Sequence, residues 1–234
     1  MAFVQEPALE PGKSAQNPRV PTITFSFYLE GGQPGRYAVV VEATGRAAYR
    51  SDAPEREAAG DPATPSQKPI AADVYLVRFT LSRATRERLF QLAEQLNYFD
   101  GSFDYKKGRI ANMGAKTLVY ADPARHFETS YNWSQNPQID EVTRLFQGIS
   151  ATLEFGRQLQ DDFRYRKLGL DSDLKNMEDA AKMNGLLELQ LIAPTLQKIA
   201  HDTSVMHIAR VRAQRLLAKV PPQETGAAPG PASR

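Results

Sequence analysis

The chain contains no cysteine. Disulfide bridges, thiolate metal sites and cysteine nucleophiles are excluded together. Histidine is nearly as scarce, with three in 234 residues: His126, His201 and His207. No HExxH pair occurs, and the step of six from His201 to His207 is not a ligand spacing. A large charge of one sign is also missing. Lys and Arg number 29 against 27 Asp and Glu, a net charge of +2, so nothing draws the whole chain toward nucleic acid or an acidic membrane. Anion binding would have to be local, and nucleic acid is not an expected partner. No run approaches the ~20 apolar residues of a membrane-spanning helix. The opening stretch MAFVQEPALEPGKSAQNPRVP has no basic segment followed by an apolar one, so no signal peptide is expected in this chain. That leaves the cytoplasm, or an exported location if a leader has been removed.

Catalytic signatures are equally sparse. There is no GxSxG elbow. DSDLKNMED, at 171–179, lacks the central Gly and third acidic position of a calcium loop, so its acids read as helix-capping groups. Asp161 and Asp162 are adjacent on a predicted helix and face apart. No catalytic residue, metal or cofactor is therefore expected.

The nearest approach to a known motif is KKGRIANMGAKT, Lys106 to Thr117. A phosphate-binding loop needs four residues between its glycines and then Gly-Lys-Ser/Thr without a gap. Here five residues separate Gly108 from Gly114, and Ala115 intervenes before Lys116. The flanks are also inverted: a polar loop precedes, and the strand-like KTLVYA follows where a helix should open. The segment reads as a loop entering a strand. It does carry a local basic and aromatic cluster: Tyr105, Lys106, Lys107, Arg109 and Lys116, with His126, Tyr131 and Trp133 on the neighbouring hairpin. Such a rim could hold an anion, a glycan or a single strand of nucleic acid, or house the site of an enzyme near Lys106, Arg109 and His126. A second basic row, Arg210, Arg212 and Arg215, lies on the last helix with no acid between Ser204 and Lys219. It could meet an acidic protein partner. Asn132-Trp133-Ser134 matches a glycosylation sequon, relevant only in a eukaryotic secretory setting.

What is present is a clear alternation of strands and helices. In TITFSFYLE, Ile23, Phe25, Phe27 and Leu29 alternate with polar residues, the period of a strand with one buried face. GGQPG is a turn, RYAVVVEAT a second strand with Tyr37, Val39 and Val41 on one side, and TGRAAYR a turn into a third. DVYLVRFTL is the most apolar strand, which predicts a place at the sheet centre. Ser82 caps a helix carrying Leu89, Leu92, Ala93 and Leu96. AKTLVYA and ARHFETSYN form a second hairpin around Asp122-Pro123. Asn136-Pro137 starts a long helix expected to run to Leu168, with Gly169 as its C-cap. Its apolar stripe changes phase near Gly156, from Ile139, Val142, Phe146, Ile149 and Leu153 to Phe155, Leu159 and Phe163. The first half is expected to face the sheet, and the second a different partner, or solvent after a bend. Further helices are expected after Asp171 or Ser172, on both sides of a break at Pro194, and after Thr203, the last with Ile208 facing inward.

The expected fold is therefore α+β: a mostly antiparallel sheet packed by two helices, with a C-terminal helical appendage. The domain reading is a disordered tail at 1–21, a core at 22–168 with a mobile loop at 51–72, the appendage at 169–220, and a disordered tail at 221–234.

Gly45 and Tyr49, Leu81 and Ser82, Leu89 to Leu92 and Tyr98-Phe99 together resemble uncharacterised bacterial domains of unknown function, in which a G-x-x-x-Y strand turn precedes a strand and the phrase ls…lf.la…yF. The likeness covers about residues 22–150. It implies an α+β fold and a bacterial protein, of a kind often exported, and supplies no activity. LQKIAHDTSVMHIARVRAQRLL resembles one unit of a HEAT-type helical repeat, implying helix-pair packing. On these grounds the functional expectation is a non-catalytic binding or protein-interaction module. The alternatives are the rim enzyme and a polyanion-binding protein. Ligand, protein partner and oligomeric state are not specified by the sequence.

Overall fold

In a computed structural model of the chain, residues 19–52, 74–108 and 110–221 are described. They form six strands, β1 (Thr22–Tyr28), β2 (Arg36–Glu42), β3 (Arg46–Asp52), β4 (Val74–Thr80), β5 (Ala115–Ala121) and β6 (His126–Tyr131). The five α-helices are α1 (Arg83–Gln95), α2 (Pro137–Tyr165), α3 (Leu170–Lys182), α4 (Ala193–His201) and α5 (His207–Leu217). The expected tails and loop fall mostly outside the described residues. Ser51 and Asp52, read as loop, instead complete β3.

The strands make one sheet in the order β4-β3-β2-β1-β5-β6, every neighbouring pair antiparallel. β1 to β4 form a meander. α1 then carries the chain back beneath the sheet, and β5 joins β1. This topology corrects the expected position of β4: the most apolar strand is at an edge. Its pairing is used up by β3, because the open side of β1 is taken by β5 and the chain after β4 turns away, with the Leu81 amide donating to the Gly45 carbonyl. Apolar content was a poor guide because β4 is apolar on both phases. Tyr75, Val77 and Phe79 pack half-buried on the core, while Val74 and Leu76 stand 48% and 58% exposed on the other face.

The inward phase of the other strands is as expected. Ile23, Phe25, Val39, Val41, Tyr49 and Leu118 are fully buried beneath α1 and the first half of α2. Phe146 of α2 stacks on Phe25 with ring centroids 5.0 Å apart, and Arg88 of α1 grips Glu141 of α2 through two 2.6 Å hydrogen bonds. Burial of this apolar set is the main stabilising term, at about 1.5–3 kcal/mol for each large side chain.

α2 is one continuous helix that serves two cores. Asn136 caps it, accepting from the Gln138 and Ile139 amides. Beyond Leu153 its inward residues change partner. Leu159 belongs to a second cluster with Leu170, Leu174, Met177, Leu196, Ile199, Ala209 and Leu216, contributed by α3, α4 and α5. Phe155 and Phe163 pack against the same cluster. The phase change is therefore a change of partner without a break in the helix. Gly156 sits at the crossing, where any side chain would collide with Ile192.

Several boundaries move. α2 ends at Tyr165, and Gly169 is the N-cap of α3, not a C-cap. Pro194 falls in the first turn of α4, where its missing N–H costs nothing, and only a short 3-10 turn, Leu189–Leu191, precedes it. The last helix opens after Met206, not Thr203, and Ile208 is 50% exposed.

Candidate functional site

The basic and aromatic rim is only partly assembled. Tyr105 and Trp133 meet edge to face at 5.1 Å, and the Tyr105 amide donates to the Trp133 carbonyl. Lys106 and Lys107 are exposed beside them, while Arg109 lies outside the described residues. Lys116 points the other way. It is 6% exposed, and its Nζ donates to the carbonyls of Met113, Gly114 and Asn132 at 3.0, 2.9 and 2.8 Å. Burial pulls its pKa below the ordinary lysine value. It is a buried staple closing the loop that enters β5. Gly114 has φ +89°, and a Cβ there would drive into the Phe27 ring, so the glycine serves this close approach. Tyr131 is buried, its hydroxyl 2.6 Å from Thr143 Oγ1 and its pKa pushed up to about 12 by burial. His126 is exposed at the far end of β6, opposite Ala121. Lys106, Lys116 and His126 thus do not converge.

The Arg row on α5 is also divided. Arg212 turns inward to α3, with Nε donating to Asp171 Oδ1 at 2.7 Å and Nη1 donating to Glu178. Its side chain is 17% exposed, so it is a structural ion pair and not a partner-facing group. Arg215 lies 3.8 Å from the same Glu178, but its side chain is largely exposed, at 66%.

Three polar clusters were not visible in the sequence, because each joins residues from different elements. The first lies at a cleft of about 450 Å³ between the β1–β2 turn and α2, walled by Phe27, Pro34, Tyr37 and Phe155 with Gln147 and Glu154 on the helix side. Glu154 Oε1 accepts from Tyr49 Oη at 2.7 Å and Ser51 Oγ, and its Oε2 accepts from Arg157 at 2.6 Å. Burial, then the adjacent Glu154 carboxylate, push the Tyr49 phenol well above its ordinary pKa, so it remains a neutral donor. With both oxygens engaged, Glu154 orders the sheet–helix contact and has little freedom to act as a base. The second is Glu188, only 6% exposed and in the left-handed region at φ 62°. Its carboxylate accepts from the Ser82 amide, the Ser82 and Thr85 hydroxyls and Gln190. It latches the appendage to the positive N-terminus of α1. The third pairs Asp162 of α2 with Asp173 of α3. Burial, then its neighbour's carboxyl, push Asp173 up to about 6. Asp162 is held by Arg166 at 2.6 Å, and Asp173 accepts from Gln158 at 2.8 Å. No group of three or more His, Cys, Asp or Glu side chains suited to a metal ion occurs among the described residues.

The remaining unusual surface is the outer face of the sheet. The helices that meet the sheet, α1 and the first half of α2, pack on its inner phase, while α3, α4 and α5 close the second cluster away from the strands. The outer phase presents Thr24 and Ser26 of β1, Ala38 and Val40 of β2, Ala48 of β3, and Thr117 and Val119 of β5, a flat field of small side chains. Toward the β4 side stand Arg46, Arg50 and Arg78. Arg78 pairs with Ala48, so Arg46 and Arg50 lie diagonal to it, one on each side. None of the three has a salt-bridge partner among the described residues. Alternation puts Arg46 and Arg50 on one phase of β3, and only the pairing of β3 with β4 brings Arg78 beside them.

Comparison with models of known protein families and with curated proteins gave no match. No helix among the described residues is long and apolar enough to cross a membrane.

Proposed function

We propose that the chain is a non-catalytic protein-interaction module that engages its partner through the outer face of the sheet. The observation that carries this reading is the one-sidedness of the sheet: six strands wide, it has helices against its inner face alone among the described residues. A flat field of Ala, Val, Thr and Ser gives a partner close approach at low side-chain entropy cost. The internal engagement of Lys116, Glu154, Glu188 and Arg212 supports it further, since these groups already serve the fold. A bacterial origin is part of the reading, on the likeness of residues 22–150 to the bacterial domains described above.

The test is a mapping experiment. Peptides selected against the whole protein from a random display library are titrated into methyl-labelled protein. Shifts at the Val40 and Val119 methyls, with inner-face Val39 and Val41 unchanged, are expected. Shifts confined to the Leu29 methyls in the cleft, or to the Met113 methyl beside Asn132 and the Tyr105–Trp133 rim, would overturn the outer-face reading. A substrate turnover abolished by one polar substitution would overturn the non-catalytic one.

A further inference from the structure

We infer that the β4 edge accepts an extended acidic peptide as a seventh strand; this rests on the outer-face reading and names the partner's chemistry. β4 pairs with β3 on one side, and on the other no described strand covers its backbone N–H and C=O groups. The opposite edge differs. Beside β6, the Asn132 amide donates to Asp104, the Tyr105 amide to the Trp133 carbonyl and Thr129 Oγ1 to the Gly101 carbonyl, so a chain segment already lies along it. β4 is seven residues long and contains no Pro or Lys, the usual guards of an exposed edge.

The side chains specify what would add there. Inward, Tyr75, Val77 and Phe79 are only half-buried and offer an apolar rim. Outward, Leu76, Arg78 and Thr80 follow one another, with Arg50 opposite Leu76 and Arg46 opposite Thr80. Strands lie about 4.8 Å apart. A Glu opposite Leu76 would meet Arg78 on the diagonal and stand within side-chain reach of Arg50. A Glu opposite Thr80 would meet Arg78 and Arg46 in the same way. The complement is a strand with acids on its outer phase and branched apolar residues on its inner phase. A second copy of this chain fits poorly, because pairing about Val77 sets the two Arg78 side chains on diagonal positions. Nucleic acid also fits poorly, because the outer phase near the arginines carries no aromatic ring for base stacking.

The probe is a seven-residue peptide alternating Glu and Val, set against its Lys–Val counterpart and a heparin oligosaccharide, with the full chain. The Glu–Val peptide is expected to bind, to weaken with added salt, and to slow hydrogen exchange at the β4 amides. The exposed substitution Arg78→Glu is expected to lower its affinity about tenfold. Equal binding of the Lys–Val peptide, or affinity unchanged in Arg78→Glu, overturns the proposal. So does heparin binding that outcompetes the peptide without protecting β4, or a concentration-dependent dimer that Leu76→Lys abolishes. Shifts at Val40 and Val119 without β4 protection overturn strand addition and leave the outer-face reading standing. The absence of outer-face shifts with every display-selected peptide ends both.

Discussion

The two cores that share α2 are built by different means. The sheet core closes on apolar alternation: Ile23, Phe25, Val39 and Leu118 from the strands meet Leu89, Phe146 and Ile149 from the helices, all fully buried. The helical core has an apolar centre too, but its parts are registered by charge. Arg212 ties α5 to α3, Asp173 meets Asp162 across α3 and α2, and Glu188 fastens the appendage to α1. A large sheet fixes its own register through the backbone ladder, and apolar patterning then does most of the rest, with Arg88–Glu141 and Glu154 adding ties on the helix side. Short helices sliding on one another have no such ladder, and specific polar contacts supply the register instead.

The comparison breaks most visibly at Phe146. Phe146→Ala removes a fully buried ring stacked on Phe25 and should cost about 3–5 kcal/mol. Trp133, the only tryptophan, sits on the sheet side, so its fluorescence follows the sheet core while far-ultraviolet circular dichroism follows the helices. If α2 couples the cores, both signals shift to lower urea together. A fluorescence midpoint that falls while the helical signal stays would show that they fold independently.

A smaller and more selective effect is expected at Glu188. Glu188→Ala leaves the Ser82 amide and the Ser82 and Thr85 hydroxyls without their acceptor, at a cost of about 2 kcal/mol. Because the lost contacts join the appendage to the core, the helical midpoint should fall further than the fluorescence midpoint. An equal fall in both would place Glu188 within the sheet core's cooperativity and weaken the latch interpretation.

The smallest effect concerns pH. Asp173 has a folded-state pKa of about 6, above its ordinary value, so the folded protein holds a proton that the unfolded chain releases earlier. Its contribution to stability is full below the ordinary carboxyl range, declines as pH rises toward about 6, and is lost above that. Asp202 has the opposite sign: Lys167 and Ser204 hold it down at about 2, so its contribution is lost only on further acidification. Between pH 4 and 6.5, wild-type stability should therefore decline relative to Asp173→Asn by about 1 kcal/mol, after allowance for solvent screening. Parallel stability profiles for the two proteins would exclude the shared-proton arrangement.

Much of the sheet core was legible in the residues. Ile23–Phe25, Tyr37–Val39–Val41, the Ser82 cap and the Asn136-Pro137 start all behave as their local pattern predicts. So does the phase change in α2 near Gly156, because an amphipathic stripe records which side is covered along each turn. The helix boundaries around Gly169 and Thr203 were less legible, since caps there are set by what the neighbouring helices leave room for.

By itself, then, the sequence determined the elements, their buried phases and the existence of two partners for α2. These are local periodicities, and each follows from the geometry of one strand or one helix. Tertiary structure alone decided that β4 is an edge, that Lys116 turns inward to three carbonyls, that Arg212 is consumed by Asp171 and Glu178, and that Arg46, Arg50 and Arg78 converge. Strand order and charge pairing arise only when distant segments close on one another, and a strand apolar on both phases carries no mark of which neighbour it will lack.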